Sequence, residues 1–245
     1  MLSIARYPVC GLAARRSASY KAWHHVFFNP KARRMSPPRH GLAIIGAGGH
    51  GSVVADAALV TWSHEQIRIF DDAPLTEILP GLVVATSPLS TVECSPNEWR
   101  VVVAIGDNTI RQARMGDLKR LGYRGATVIH PAAIVSNHAV VNEGAVIMAG
   151  AVVNARAVVG EGCIVNSGAI VEHDVKLGGF THLSPGAVAA GGARIGHRCW
   201  IGASAVVKEG VTIGDDIVLG ALGFAHADLQ KAGTYVGAPA RPIEH

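Results

Sequence analysis

Three consecutive residues, Glu172-His173-Asp174, place an imidazole between two carboxylates. A carboxylate beside a histidine fixes its tautomer and raises its basicity, which is the make-up of a general base. The bland alternative is a solvated turn histidine. Phe180 and His182 follow where the surrounding pattern carries small or β-branched residues, and His182 reads either as a packed ring or as a ligand contact. A second group of candidates lies earlier, in Gly46-Ala47-Gly48-Gly49-His50-Gly51, Asp71-Asp72 and Gly106-Asp107-Asn108. A GxGxxG turn between strand and helix lets a ligand approach the backbone, and the helix N-terminus offers free N–H groups to an anion. An acidic residue about 20 positions later meets a ribose hydroxyl. The obvious ligand is NAD, and a tight strand–helix turn without a ligand is the competing reading. Cys10, Cys94, Cys163 and Cys199 make no CxxC spacing. No Cys or Ser sits in a nucleophile motif, so an acyl-enzyme intermediate is not required.

The elements that must position the early group are short. Residues 41–46 read as a buried strand, 52–61 as a helix, 68–70 as a strand, 101–105 as a strand and 109–121 as a helix. Together they predict a small Rossmann-like α/β domain over 41–125. A dinucleotide fold needs two such halves, so this domain suits a mononucleotide or a nucleotide-linked sugar better.

The later group sits in a repeat. Stepping by six from Ile129 to Leu219 gives sixteen positions, fifteen of them Ile, Val or Leu and the other Ala189. Four residues on, the side chain is usually small, as at Ala145, Ala151, Ala157, Cys163, Ala169 and Ala187. One large and one small inward position per six residues predicts a parallel β-helix over 126–223, with three hexapeptides closing each triangular coil. Cys163 and Cys199 fall two coils apart, about 10 Å at the β spacing, beyond disulfide reach. Residues 224–245 read as a C-terminal tail.

Composition bounds the rest. The 245 residues carry 22 basic and 18 acidic groups, a formal +4. Eight of the basic residues and no acidic one lie in residues 1–40, so the remainder carries 14 basic against 18 acidic, or −4. The basic character belongs to a leader, and neither nucleic acid nor a membrane is expected as partner. The leader reads as a disordered extension ahead of a working start at Met35, with an organellar transit peptide or a nucleic-acid arm as rivals. Removing residues 1–34 is expected to leave a folded, acidic, active protein. Cysteine usage fits a reducing, cytoplasmic compartment.

Four segments together carry a family likeness: Ile45 to Gly51, Phe70-Asp71-Asp72, Ala104 to Asn108, and Asn166 to Asp174. The ending Tyr235 to Arg241 adds to it. They resemble the bacterial sugar acyltransferases of the PglD/NeuD type, which join a nucleotide-sugar domain to a left-handed hexapeptide β-helix. The likeness covers about residues 41–245. It implies acetyl transfer from acetyl-CoA to the amino group of a UDP-4-amino-4,6-dideoxy-sugar, with sialic acid O-acetylation as the alternative acceptor chemistry. It also implies His173 as general base with Asp174 behind it, where PglD-type enzymes carry the longer Glu. By the same likeness His182, Gly191 and Ala203 contact acetyl-CoA, and Gly48, Gly49, His50, Asp71, Asp72 and Gly106 hold the nucleotide sugar. The family is a homotrimer with active sites between subunits.

Three other readings compete. A zinc enzyme of the γ-carbonic anhydrase type would use His138, His173, His182 or His197, but no two of these stand 36 residues apart as that family's ligands do. No metal is therefore expected. A non-catalytic sugar-nucleotide-binding scaffold and an NAD-dependent oxidoreductase complete the set.

Overall fold

A computed structural model of the chain describes residues 39–72, 77–86 and 94–243. The leader, apart from Arg39 and His40, lies outside them. The first unit is a six-stranded sheet: β1 (Gly41–Ile45), β2 (Ile67–Phe70), β3 (Glu77–Leu79), β4 (Leu82–Ala85), β5 (Trp99–Val103) and β6 (Arg124–Gly125), in the order β3-β4-β2-β1-β5-β6. All neighbours run parallel except β3 with β4. The central strand β1 is short and apolar, with Leu42, Ala43 and Ile44 fully buried, as a strand covered on both faces requires. Helix α1 (Gly49–Leu59) follows β1 and α2 (Asn108–Arg120) follows β5. Strand order reverses at β1, so the crevice outside the carboxyl ends of β1 and β5 is the natural ligand position in such a sheet.

Helix α1 begins three residues before the predicted start, because the glycines themselves form its first turn, with Gly48 as N-cap. Helix α2 starts one residue early, where the Asp107 carboxylate accepts from Ile110 N at 2.8 Å, satisfying one of the helix's free N–H groups.

From Val128 the chain winds into a parallel β-helix. Each two-residue strand pairs with the strand 18 residues on, as Val146 with Ile164 and His182 with Trp200. The strands fall on three faces. The predicted inward residues are buried from Ile147 onward, and the small corner residues from Ala145 onward are buried with them. Ile129 is 39% exposed and Val135 and Val141 are half-buried, because they belong to the first coil, which has no coil beneath it. The segment expected as a tail continues the coils: Phe224–Ala225 joins the second face and Gly233–Val236 pairs with Ile217–Leu219 on the first.

The corners show a second period of six. Every sixth residue from Gly144 to Leu222 has positive φ. Half of these are glycine. The others are Arg156, Asp174, Phe180, Arg198, Ser204, Asp216 and Leu222, each held where a side chain costs about 1–2 kcal/mol.

The first domain docks on the outside of the first face. Val128, Val146, Met148 and Ile164 are buried in one cluster with Leu42, Ile44, Val54 and Ala58. Arg111 locks the junction from α2. Its guanidinium is 1% exposed and its donors reach five oxygens: Gly162 O (2.8 Å), Ile105 O (2.9 Å), Gly106 O (3.0 Å), Asn108 Oδ1 (2.6 Å) and Phe180 O (2.7 Å). Burial pushes its pKa down to about 10, so it keeps its charge at neutral pH.

Candidate active site

His173 lies in the turn between the second and third faces, 60% exposed at its side chain. Its Nδ1 stands 2.9 Å from Asp174 Oδ2. An ionised carboxylate only accepts, so the proton sits on Nδ1 and the Nε2 lone pair is left open. The Arg156 guanidinium and then the imidazole hold the Asp174 carboxyl far below the usual carboxylate range. Arg156 grips both oxygens, with Nε to Oδ1 at 2.6 Å and Nη2 to Oδ2 at 2.7 Å. On the other side of the ring lies Gly191, where an added Cβ would stand 2.8 Å from both Cε1 and Nε2. The ring is thus fixed between a clamped carboxylate and a bare backbone.

The glycine loop forms a second place. Gly46 takes φ +109 to turn the chain out of β1, and Gly51 lets α1 lie against the Gly46 carbonyl. Gly48, Gly49 and Gly106 face open space, which leaves room for a ligand's backbone contacts. Asp71 Oδ2 accepts from Ala47 N at 2.6 Å, tying the loop to the end of β2. Asp72 pairs with Arg114 at 2.9 Å near the surface.

His50 and His182 meet here, their ring centroids 6.4 Å apart. His182 lies parallel to the Trp200 indole, with centroids at 6.2 Å, and its Nε2 is 3.1 Å from Asn166 Nδ2. Burial, then the Arg111 charge, lowers the His50 pKa to about 4; for His182 the same causes lower it to about 3. Both rings are neutral at pH 7. His50 Nε2 is buried and has no hydrogen-bond partner among the described residues.

One chain therefore brings together two groups. His173, Asp174 and Gly191 share one corner. Gly48, Gly49, His50, Gly106 and His182 share the mouth of the first domain, with Asp71 bracing the loop and Asp72 at its edge. The corner lies opposite the first face, which carries His182, so a single chain does not bring the groups together. Gly191 lies against the His173 ring, a contact not expected from the sequence. Ala203 is exposed at the corner between the first and second faces, its carbonyl accepting from Leu222 N at 2.9 Å. Arg156, Arg111 and Trp200 were not singled out from the sequence. Arg156 had a signal, since it stands one coil before Asp174. Burial pushes the Cys163 and Cys199 thiols up to about 11, so neither is a thiolate nucleophile. Among the described residues no group of three or more His, Cys, Asp or Glu is placed to hold a metal, and no helix is long and apolar enough to cross a membrane.

Residues 41–118 match the PglD N-terminal domain, and residues 192–221 match the hexapeptide repeat of succinyl-transferase, which fits the left-handed form of the β-helix. No curated protein matches significantly. Among solved structures, the acetyltransferase domain of PglB from Neisseria gonorrhoeae FA1090 is 39% identical, with a TM-score of 0.79, covering 84% of this chain and 100% of its own. The same domain in complex with acetyl coenzyme A gives 38%, 0.78, 84% and 100%. A mutant perosamine N-acetyltransferase from Caulobacter crescentus, in complex with CoA and GDP-perosamine, is 34% identical with a TM-score of 0.77, covering 85% of this chain and 99% of its own. Matched at this identity over the whole length of such relatives, the chain belongs to the PglD/NeuD-type family of hexapeptide-repeat sugar acetyltransferases.

Proposed function

We propose that the protein transfers the acetyl group of acetyl-CoA to the amino group of a nucleotide-linked amino sugar, with His173 as general base. The observation that carries the reading is the His173 ring, held by Asp174 at 2.9 Å with Nε2 open. The sugar amine attacks the thioester carbonyl, and the new N–C bond forms as Nε2 takes a proton from the nitrogen. The tetrahedral adduct then expels CoA thiolate, the C–S bond breaks and the imidazolium returns its proton to sulfur. The buried un-ionised thiols agree with direct attack.

The sugar nucleotide belongs at the open glycines of the first domain, with Gly48, Gly49, His50 and Gly106 nearest it and Asp71 and Asp72 at its edge. Acetyl-CoA belongs along the coils near His182, Gly191 and Ala203. Because His173 and the first domain stand on opposite sides of one coil, a complete site needs two chains. The second face supports a trimer: its outward column, Ile134, Val152, Ile170, Val188, Val206 and Phe224, is apolar throughout, and Ile134 is 67% exposed. A cytoplasmic location belongs to the same reading, in keeping with the free, buried Cys94, Cys163 and Cys199.

The test is thiol release from acetyl-CoA with UDP- and GDP-linked amino sugars and with sialic acid as acceptors. Release is expected with a nucleotide amino sugar and is expected to fall about 10²–10⁴-fold in His173→Ala. Release with sialic acid alone would move the acceptor to a hydroxyl. Full activity in the mutant would remove His173 from the chemistry.

A further inference from the structure

We propose that Arg156 is a positioning residue for this reaction: it fixes the Asp174 carboxylate so that the carboxylate orients His173. The inference rests on His173 being the base. Arg156 and Asp174 stand 18 residues apart, one above the other at the same corner of successive coils. Both oxygens of Asp174 are gripped by the guanidinium, and Oδ2 is shared with His173 Nδ1. The next two residues of that corner column are Gly192 and Gly210, with φ +69 and +71. Arg156 and Asp174 hold φ 62 and 63, the conformation that the glycines adopt freely. The chain thus keeps a charged pair at two positions where the backbone favours glycine, and the carboxylate of that pair bonds the imidazole.

The planar fork of arginine suits this task, because it fixes both carboxylate oxygens in one plane. A lysine ammonium supplies charge without that geometry. Another pair offers an internal control. Arg198 grips Asp216 in the same way, at 2.7 Å on each oxygen, at a different corner and away from His173.

Removing Arg156 frees the carboxylate, so the ring is less well aimed. The other charged or titratable groups around the ring are Glu172 and Asp174 on its own turn, His138 in the same corner column, and Lys208 with Glu209 two coils on. None of these changes in the variant.

The experiment compares Arg156→Gly, Arg156→Lys and Arg198→Gly with the unmodified protein. It reads kcat and KM with acetyl-CoA and GDP-perosamine or a UDP-4-amino-4,6-dideoxy-sugar, thermal melting, and the NMR signal of the His173 Nδ1 proton in the free enzyme. In Arg156→Gly, kcat is expected to fall about 100-fold, with KM and melting unchanged. The Nδ1–H signal is expected to shift and broaden as its bond to Asp174 loosens. Arg156→Lys should lie between, and Arg198→Gly should move neither kcat nor that signal. Unchanged kcat and signal in Arg156→Gly would overturn the proposal. So would a loss of kcat that tracks lost melting temperature with an unmoved signal, which would make Arg156 a strut. Full activity in His173→Asn would instead remove the base reading itself, whatever Arg156 does.

Discussion

At the scale of single residues, the site is defined as much by what is missing as by what is present. Gly191 has no positive φ, so alanine fits its backbone, yet the new methyl would meet the His173 ring. Gly191→Ala is therefore expected to leave melting unchanged and to lower kcat about 100-fold, the order expected for a misplaced catalytic group. Steady-state kinetics beside a thermal melt checks this, and unchanged kcat would show that the ring is not set by that contact. The buried histidines make a second residue-scale prediction. An unfolded histidine binds a proton near pH 6.5, whereas folded His50 and His182 do so only near pH 4 and 3. Between those values the unfolded chain holds more protons, so stability is full above pH 6.5 and falls as the pH drops. At about 1.4 kcal/mol per pKa unit, the loss by pH 5 is on the order of a few kcal/mol. Urea unfolding at pH 7 and pH 5 measures it, and His182→Gln should remove about half of the difference. Equal stability at both pH values would contradict the buried, neutral state of these rings.

At the scale of elements, the β-helix was legible because its rule is simple. An inward position must be large and aliphatic, and the step-six residues from Ile147 to Leu219 obey it and are buried. The corners were legible only where glycine marks them. Arg156, Asp174 and Phe180 take the same left-handed turn, but nothing in their residue types announces it. Arg111 was not legible at all, because carbonyl oxygens have no sequence signature and its partners come from both domains. The position of His182 required knowing that the first domain covers the first face. The glycine column Gly160, Gly178, Gly196 and Gly214 has a purely structural purpose. A Cβ on Gly178 would stand 2.5 Å from the Gly196 carbonyl carbon, a backbone atom that cannot swing aside. Gly178→Ala should therefore lower stability by about 1–3 kcal/mol, read as a lower melting temperature. A melt at the original temperature would mean that adjacent coils can part at no cost.

At the scale of the whole molecule, His173 and the open glycines of the first domain lie on opposite sides of one coil, and the proposed reaction uses both. Activity should then depend on assembly. Val188 sits mid-way along the outward apolar column of the second face, and Val188→Glu places a charge there. If the proposed assembly holds, sedimentation should show the unmodified chain as a trimer and the variant as a monomer, and acetyl transfer should disappear with the change. A fully active monomer would place the whole site within one chain. The regular corner spacing adds a final point. Because every coil repeats the last at about 4.8 Å, the β-helix works as a ruler with one mark per 18 residues. Adding one coil between Gly162 and Phe180 would keep the hydrophobic phase intact. It would still carry apart by one mark the two carbonyls that Arg111 bridges, farther than a hydrogen bond can stretch. The fold is thus held to a fixed number of coils beneath the first domain, however the outward side chains at each mark change.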